Sequence, residues 1–198
     1  MRITNEFEVE HSLAKVWEFF GDIPQVAACL PGAELTEELG PDHYGGVVLI
    51  GLGPVKLEFD GEAKITDRNE AEHTIDVDAS GADRKGRGQA ALLLNADLNP
   101  VPAGTKVGVA MDLQLSGAAA QYGRGLVTDI TAVLLDDFAA NVRGRLDAIA
   151  AGRDPNAVAT QTSSAGALTI GLRAMRMGLL RLFRRFFLPY QPPMRDAI

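Results

Sequence analysis

From Ala33 to Ser116 the chain repeats one pattern, alternation of apolar and polar residues, and then abandons it for a single long periodicity of three and four. Val55, Leu57, Phe59, Gly61, Ala63 and Ile65 alternate with Lys56, Glu58, Asp60, Glu62 and Lys64. His73, Ile75, Val77 and Ala79 alternate with Thr74, Asp76 and Asp78. Ala90, Leu92, Leu94, Ala96 and Leu98 form another inward set, and Val107, Val109, Met111, Leu113 and Leu115 the last. A period of two sends alternate side chains to opposite faces of a strand. Turn signals at Arg68-Asn69, Ala82-Asp83 and Pro100 to Gly104 separate the segments. Strands joined by short turns make an antiparallel meander with one polar and one apolar face.

Beyond Ser116, the residues Leu126, Ile130, Val133, Leu134, Phe138, Val142, Leu146 and Ile149 share one face of a helix, with Asp129, Asp136 and Arg143 on the other. The spacing predicts one helix over 117–149, about 50 Å long, capped by Ser116 and ended by Gly152 and Pro155. The apolar sheet face needs to cover something, and this helix is the available partner, which makes the class α+β. Ahead of the meander, Arg2 to Glu10 alternates as a half-buried strand. Ser12 then opens a short helix with Val16, Trp17 and Phe20 inward, Gly21 to Pro24 breaks it, a second short helix runs to about Cys29, and Pro31-Gly32 turns.

Several inward positions are small: Gly61, Ala63, Ala79, Ala90 and Ala96, with Ala118-Ala119-Ala120 at the start of the helical stretch. Two readings follow. Small residues on both sides leave an apolar space that holds a hydrophobic small molecule, or they let the sheet curve and the helix pack closely. On the first reading the lining residues are Trp17, Phe20, Leu57, Phe59, Leu92, Leu94, Met111, Leu113, Tyr122, Leu126, Ile130 and Leu134. Tyr122 is then the hydroxyl that meets a ligand carbonyl; otherwise it is a packed tyrosine at the rim.

Charge divides the chain. Residues 1–150 carry 12 Lys+Arg and 24 Asp+Glu, a net of −12, whereas residues 151–198 carry 7 and 2, a net of +5. Residues 151–165 are small, polar and turn-rich, the composition of a flexible linker. Residues 166–188 regain helical periodicity. Leu168, Leu172, Met175, Leu179, Leu182, Phe183 and Phe186 share one arc, and Arg173, Arg181, Arg184 and Arg185 the opposite one, with Arg176 at the boundary. A basic amphipathic helix of this kind lies in a membrane interface, its arginines on anionic headgroups. Docking on a partner protein or packing back on the body are the competing readings. Nucleic acid is disfavoured, because the acidic body repels a polyanion. Residues 189–198 form a terminal tail. The charged N-terminus predicts no signal peptide, and one cysteine permits no internal disulfide, which fits a reducing compartment.

Reactive chemistry is sparse. His11, His43 and His73 stand in separate segments without ligand spacing, and Cys29 lies in an apolar stretch, so neither a catalytic group nor a metal site is expected. Val47 to Val55 mimics a strand running into a dinucleotide loop, but Lys56 occupies the third glycine position and a strand follows where a helix is required. Arg84-Lys85-Gly86-Arg87-Gly88 reads as a solvated basic hairpin turn.

The order of strand, two short helices, meander and long helix resembles the START-like (SRPBCC) superfamily, a helix-grip fold around a hydrophobic cavity. Asp22-Ile23-Pro24-Gln25-Val26-Ala27-Ala28-Cys29-Leu30-Pro31-Gly32-Ala33-Glu34 looks like the segment that marks CoxG, the G-subunit family of carbon monoxide dehydrogenase. Gly51-Leu52-Gly53-Pro54-Val55 with Phe59-Asp60-Gly61, and the run from Thr105 through Gly117 to Phe138-Ala139-Ala140-Asn141, are similar to its pattern over residues 1–150. The resemblance implies a non-catalytic accessory of the aerobic molybdenum carbon monoxide dehydrogenase, peripheral on the cytoplasmic side of the cell membrane. It also implies a START-like ligand-binding domain. The hydrophobic ligand expected there is a respiratory quinone, menaquinone or ubiquinone, held without any covalent cofactor; the alternative is a ligand-free adaptor that recruits the dehydrogenase to the membrane.

Overall fold

The computed structural model describes residues 1–52 and 55–158. In chain order these give β1 (Arg2–Val9), α1 (Leu13–Gly21), α2 (Ile23–Ala27), β2 (Ala33–Gly40), β3 (His43–Leu52), β4 (Val55–Asn69), β5 (Thr74–Asp83), β6 (Gln89–Val101) and β7 (Gly104–Leu115). A 3-10 turn (Gly117–Tyr122), α3 (Gly123–Ala150) and a second 3-10 turn (Pro155–Ala157) complete them. The strands form one antiparallel sheet in the order β1-β7-β6-β5-β4-β3-β2. The meander is therefore a chain of consecutive hairpins, and β1 joins it by pairing with the last strand, Ile3 opposite Met111 and Val9 opposite Thr105.

The core sits where α1 and the second half of α3 meet β1, β6 and β7. Val16, Val107 and Val142 are fully buried there, with Leu98 and Val9 at 1% exposure. Phe138 of α3 meets Phe7 of β1 edge-on at 6.0 Å and Phe20 of α1 at 6.4 Å. Polar ties fix the same end. Arg143 Nε donates to the Glu8 carbonyl at 2.8 Å, and His11 Nε2 lies 2.8 Å from Asp147 Oδ1.

The long helix is shorter than its periodicity suggests. Gly123 stands at φ +72°, a conformation that an α-helix cannot run through, so α3 starts there and spans 28 residues, about 42 Å. Ser116 precedes the 3-10 turn and makes no side-chain capping bond. The alanine triplet lies in that turn, whose first amides are held from outside: the Arg87 carbonyl accepts from Ala118 N at 2.7 Å and Ala119 N at 3.3 Å. Asp129, expected on the solvent side of the helix, is buried, and Ile149, expected inward, is 47% exposed.

The linker assigned to 151–165 is not loose at its start. Gly152 ends α3, and Asp154 accepts from Asn156 N at 2.8 Å to cap the second 3-10 turn. Asn156 Oδ1 then accepts from Gln25 Nε2 at 3.2 Å and Arg145 Nη1 at 3.3 Å, which folds these residues back on α2 and α3. The rest of the linker, the amphipathic segment 166–188 and the terminal tail 189–198 lie outside the described residues.

Candidate functional site

The register of the sheet sorts its inward residues into rows running across the strands. One row, Ile65–Val77–Leu94–Met111–Ile3, is bulky and joins the core. The next, Tyr44–Ala63–Ala79–Leu92–Leu113, has two alanines on β4 and β5. The third, Leu35–Gly46–Gly61–Gly81–Ala90–Leu115, has no side chain larger than a methyl across β3 to β6 and a leucine at each end. Beyond it the surface rises again, at Leu57 and Phe59, which with Ala119 make a second buried cluster separate from the core. A band of glycine and alanine thus lies between two bulky apolar ridges. The backbones within the band are close: a Cβ added at Gly61 would stand 2.1 Å from the Ser80 carbonyl oxygen. Leu92 and Leu113, bordering the band, are only half-buried, as are Leu126 and Leu134 on α3.

The expected lining residues fall in several places, and the α3 residues packed on the core are Val127 and Leu135, not Leu126 and Leu134. Leu92, Leu94 and Leu113 border the band from the core side, with Met111 buried beside them. Leu57 and Phe59 form the far ridge. Phe20 fills the core, and Trp17 is half-buried and meets His73 edge-on at 5.1 Å. Ile130 is buried between the half-buried Leu126 and Leu134. Tyr122 closes the first 3-10 turn, and its side chain lies outside the described set. The membrane-facing residues expected between Leu172 and Phe186 lie outside it too. Gly46 and Gly81 are not among the small positions that alternation singles out, although each continues the glycine row.

The basic turn after β5 is not a solvated hairpin. The Asp83 side chain has no exposed surface and accepts five hydrogen bonds. Its Oδ1 takes Glu58 N at 3.1 Å and Arg87 Nη2 at 2.6 Å; its Oδ2 takes Lys85 N, Arg87 N and Arg87 Nε. The Arg87 guanidinium holds the carboxyl well below the usual carboxylate range, and the backbone amides add to that. Arg87 also donates to the Lys56 carbonyl at 2.7 Å, and Arg84 pairs with Glu58 and Asp60. Because the Arg87 carbonyl in turn holds the turn before α3, one buried carboxylate ties β4, the β5–β6 turn and the start of the helix together.

The segment Asp22 to Ala33 is a clamp at the other end of α3. Asp22 caps α2 by accepting from Gln25 N at 3.1 Å, and Gln25 Oε1 receives Arg145 Nη1 at 2.6 Å. Asn141 Nδ2 donates to the Cys29 carbonyl at 2.9 Å. The Cys29 thiol is buried, and burial pushes its pKa up to about 11, so it is not a nucleophile at neutral pH. Among the described residues no group of His, Cys, Asp or Glu is arranged to hold a metal ion.

The outward face carries a groove of about 670 Å³ across the sheet. Its floor is Gly45, Ser80, Ala82 and Ala91; Glu37, Asp60 and Glu62 stand at the β2 end, and Gln89 and Gln114 stand at the β7 end. Two register shifts in β2, at Leu35/Glu37 and Glu38/Gly40, turn that edge strand so that Thr36, Glu37 and Leu39 wall the groove.

A family model described as the G subunit of carbon monoxide dehydrogenase (CoxG) matches residues 6–147. No curated protein matches the chain. Among solved structures, a conserved protein from Geobacillus kaustophilus superposes with a TM-score of 0.67 at 20% identity, over 74% of this chain and 95% of that one. The Zhui aromatase/cyclase from Streptomyces sp. R1128 gives 0.57 at 14% identity, over 78% and 99%. Protein Ms6760 from Mycobacterium smegmatis gives 0.53 at 16% identity, over 75% and 92%. At these identities the likeness is one of fold: a START-like helix-grip domain, its curved antiparallel sheet set around the long C-terminal helix. No helix among the described residues is long and apolar enough to cross a membrane.

Proposed function

The chain belongs to the CoxG family of carbon monoxide dehydrogenase proteins, and we propose that it carries a respiratory quinone between its sheet and its long helix and presents it to the molybdenum dehydrogenase at the membrane. The dehydrogenase converts carbon monoxide and water to carbon dioxide, two protons and two electrons. A quinone takes up two electrons and two protons and becomes a quinol. The difficulty is location, since an isoprenoid tail is held in lipid and a peripheral enzyme cannot reach it. An apolar slot on a membrane-bound domain removes that difficulty.

The observation that carries this reading is the glycine and alanine band between two separate apolar clusters, bordered by half-exposed leucines. A flat ring with a slender apolar chain suits such a slot. The basic amphipathic pattern of residues 166–188 supplies the membrane contact on this reading, on the cytoplasmic leaflet where anionic lipid is abundant. The domain acts as carrier; the chemistry belongs to its partner.

The test is native mass spectrometry with organic extraction, on full-length protein purified gently from its own membranes. A stoichiometric quinone that the dehydrogenase then reduces is the expected result. Protein that is free of any isoprenoid, yet sediments with vesicles and with the dehydrogenase, refutes carriage and leaves a recruitment adaptor.

A further inference from the structure

We propose that the groove on the outward sheet face is the docking site for the dehydrogenase, and that it receives an extended, cationic segment of that enzyme. The partner's identity rests on the functional reading above; the shape and charge of the groove do not.

The shape fits an extended chain. The groove runs across β2 to β7, and with strands about 4.8 Å apart those six strands span about 24 Å, the length of about seven extended residues. Two outward rows make its floor, Glu62–Ser80–Ala91–Gln114 and Asp60–Ala82–Gln89, both small in the middle. The floor side chains there are hydrogen, methyl or hydroxymethyl, so an extended backbone can lie against the sheet without displacing anything.

Charge sets the polarity of the occupant. Glu37, Asp60 and Glu62 gather at one end, and Gln89 and Gln114 offer neutral amides at the other. Arg84 reaches Asp60 at 3.3 Å and His43 reaches Glu62 at 2.9 Å, yet those carboxylate side chains remain 58% and 54% exposed. Accessible carboxylates in a concave wall attract a lysine or arginine. The domain's net charge of −12 over residues 1–150 steers a cationic partner toward it and keeps this face off an anionic membrane. The groove and the ligand slot lie on opposite faces of the same strands. Gly61 and Gly81 line both, so only the sheet backbone separates a docked segment from the slot.

The experiment measures binding of the full-length chain to purified carbon monoxide dehydrogenase holoenzyme by biolayer interferometry, at low and physiological salt. The near-isosteric triple variant Glu37→Gln, Asp60→Asn, Glu62→Gln should associate at least ~10-fold more slowly at low salt and lose most of its salt dependence. Ala91→Trp, which fills the floor without changing charge, should weaken binding at both salts. A control with the same change in net charge, Glu6→Gln, Glu8→Gln, Glu10→Gln on and just after β1, should stay within about twofold of wild type. Equal loss in the control, or wild-type binding by both groove variants, overturns the placement. Displacement of the enzyme by added peptide 166–188 assigns the groove to the chain's own basic segment and also overturns it. If the wild-type chain shows no binding to the holoenzyme at all, it is the functional reading that fails.

Discussion

Replacing Asn141 by alanine tests whether the clamp between α3 and the Asp22–Ala33 segment is a structural joint. Asn141 is 9% exposed, and its Nδ2 donates at 2.9 Å to the carbonyl of Cys29, a residue with no exposed surface. Truncation leaves that carbonyl buried and without its donor, and opens a void the size of an amide. An orphaned buried acceptor costs about 1–3 kcal/mol. In a domain of this size each kcal/mol lowers Tm by about 2–4 °C, so a mid-range loss of about 2 kcal/mol gives a drop of about 4–8 °C. The control is Asn99→Ala, which removes an amide donating at 2.6 Å to Asp97 on the exposed face; a surface change of this kind stays within about 0.5 kcal/mol. Differential scanning calorimetry of both variants gives the comparison. Hydrogen exchange adds a local reading, because Leu49 N donates to the Gly32 carbonyl at 2.8 Å, and that amide should lose protection first when the clamp loosens. If Asn141→Ala melts within about 1 °C of wild type with Leu49 still protected, the joint carries no load and the reasoning is wrong.

Four further outcomes follow from the same geometry. Leu126→Trp should fill the slot from the helix side and remove co-purified ligand, with vesicle binding unchanged; undiminished ligand content would place the cargo elsewhere. Asp83→Asn should destabilise the domain in a pH-dependent way. The depressed pKa means that the wild-type advantage is complete above the unfolded value of about 3.9 and shrinks as pH falls below it, so acid titrations of the two proteins should converge; parallel curves would contradict the buried ion pair. Cys29, with its thiol pKa raised to about 11, should resist a thiol reagent at mildly alkaline pH and react at once in guanidinium, and prompt labelling of native protein would refute its burial. Replacing Arg181, Arg184 and Arg185 by Glu should release the chain from anionic vesicles, and retained binding would shift the membrane contact to apolar insertion alone.

What the sequence discloses depends on whether charge marks one face of an element. In β4 and the first half of β5 nearly every second residue is charged or polar, so the inward sets, and the band residues Gly61, Ala63 and Ala79, can be read directly. In β3 the run Val47-Val48-Leu49-Ile50 is apolar on both faces. Alternation is silent there, and Gly46 escapes notice although it extends the same row. The groove is less legible still, because Gly45, Ser80, Ala82 and Ala91 come together only through the register of four strands. Asp83 beside three basic residues looks like a solvated turn, and nothing local records that its side chain is wholly buried. The break at Gly123 is written in the sequence, but the strong periodicity from Leu126 onward overrides it when the stretch is read as one helix.

The residues that carry the family pattern turn out to be frame. Asp22 caps a helix, Gln25 meets Arg145, the Cys29 carbonyl meets Asn141, and Gly61 lets two backbones approach. None of these atoms is free to choose a ligand, because each is already committed to a neighbouring element. The surface that would choose, on the proposed reading, is made of side chains with no polar commitment: Leu92 and Leu113 on the sheet, Leu126 and Leu134 on α3, all apolar and half-buried. One methylene more or less on such a wall is worth about 1–3 kcal/mol of discrimination, enough to separate cargoes that differ in ring substitution. The frame can therefore be shared among chains that carry different molecules. Exchanging these four leucines for the residues of a relative with another cargo should exchange the cargo with only a small change in Tm, whereas exchanging the Asp22–Ala33 segment should change stability and leave the cargo alone.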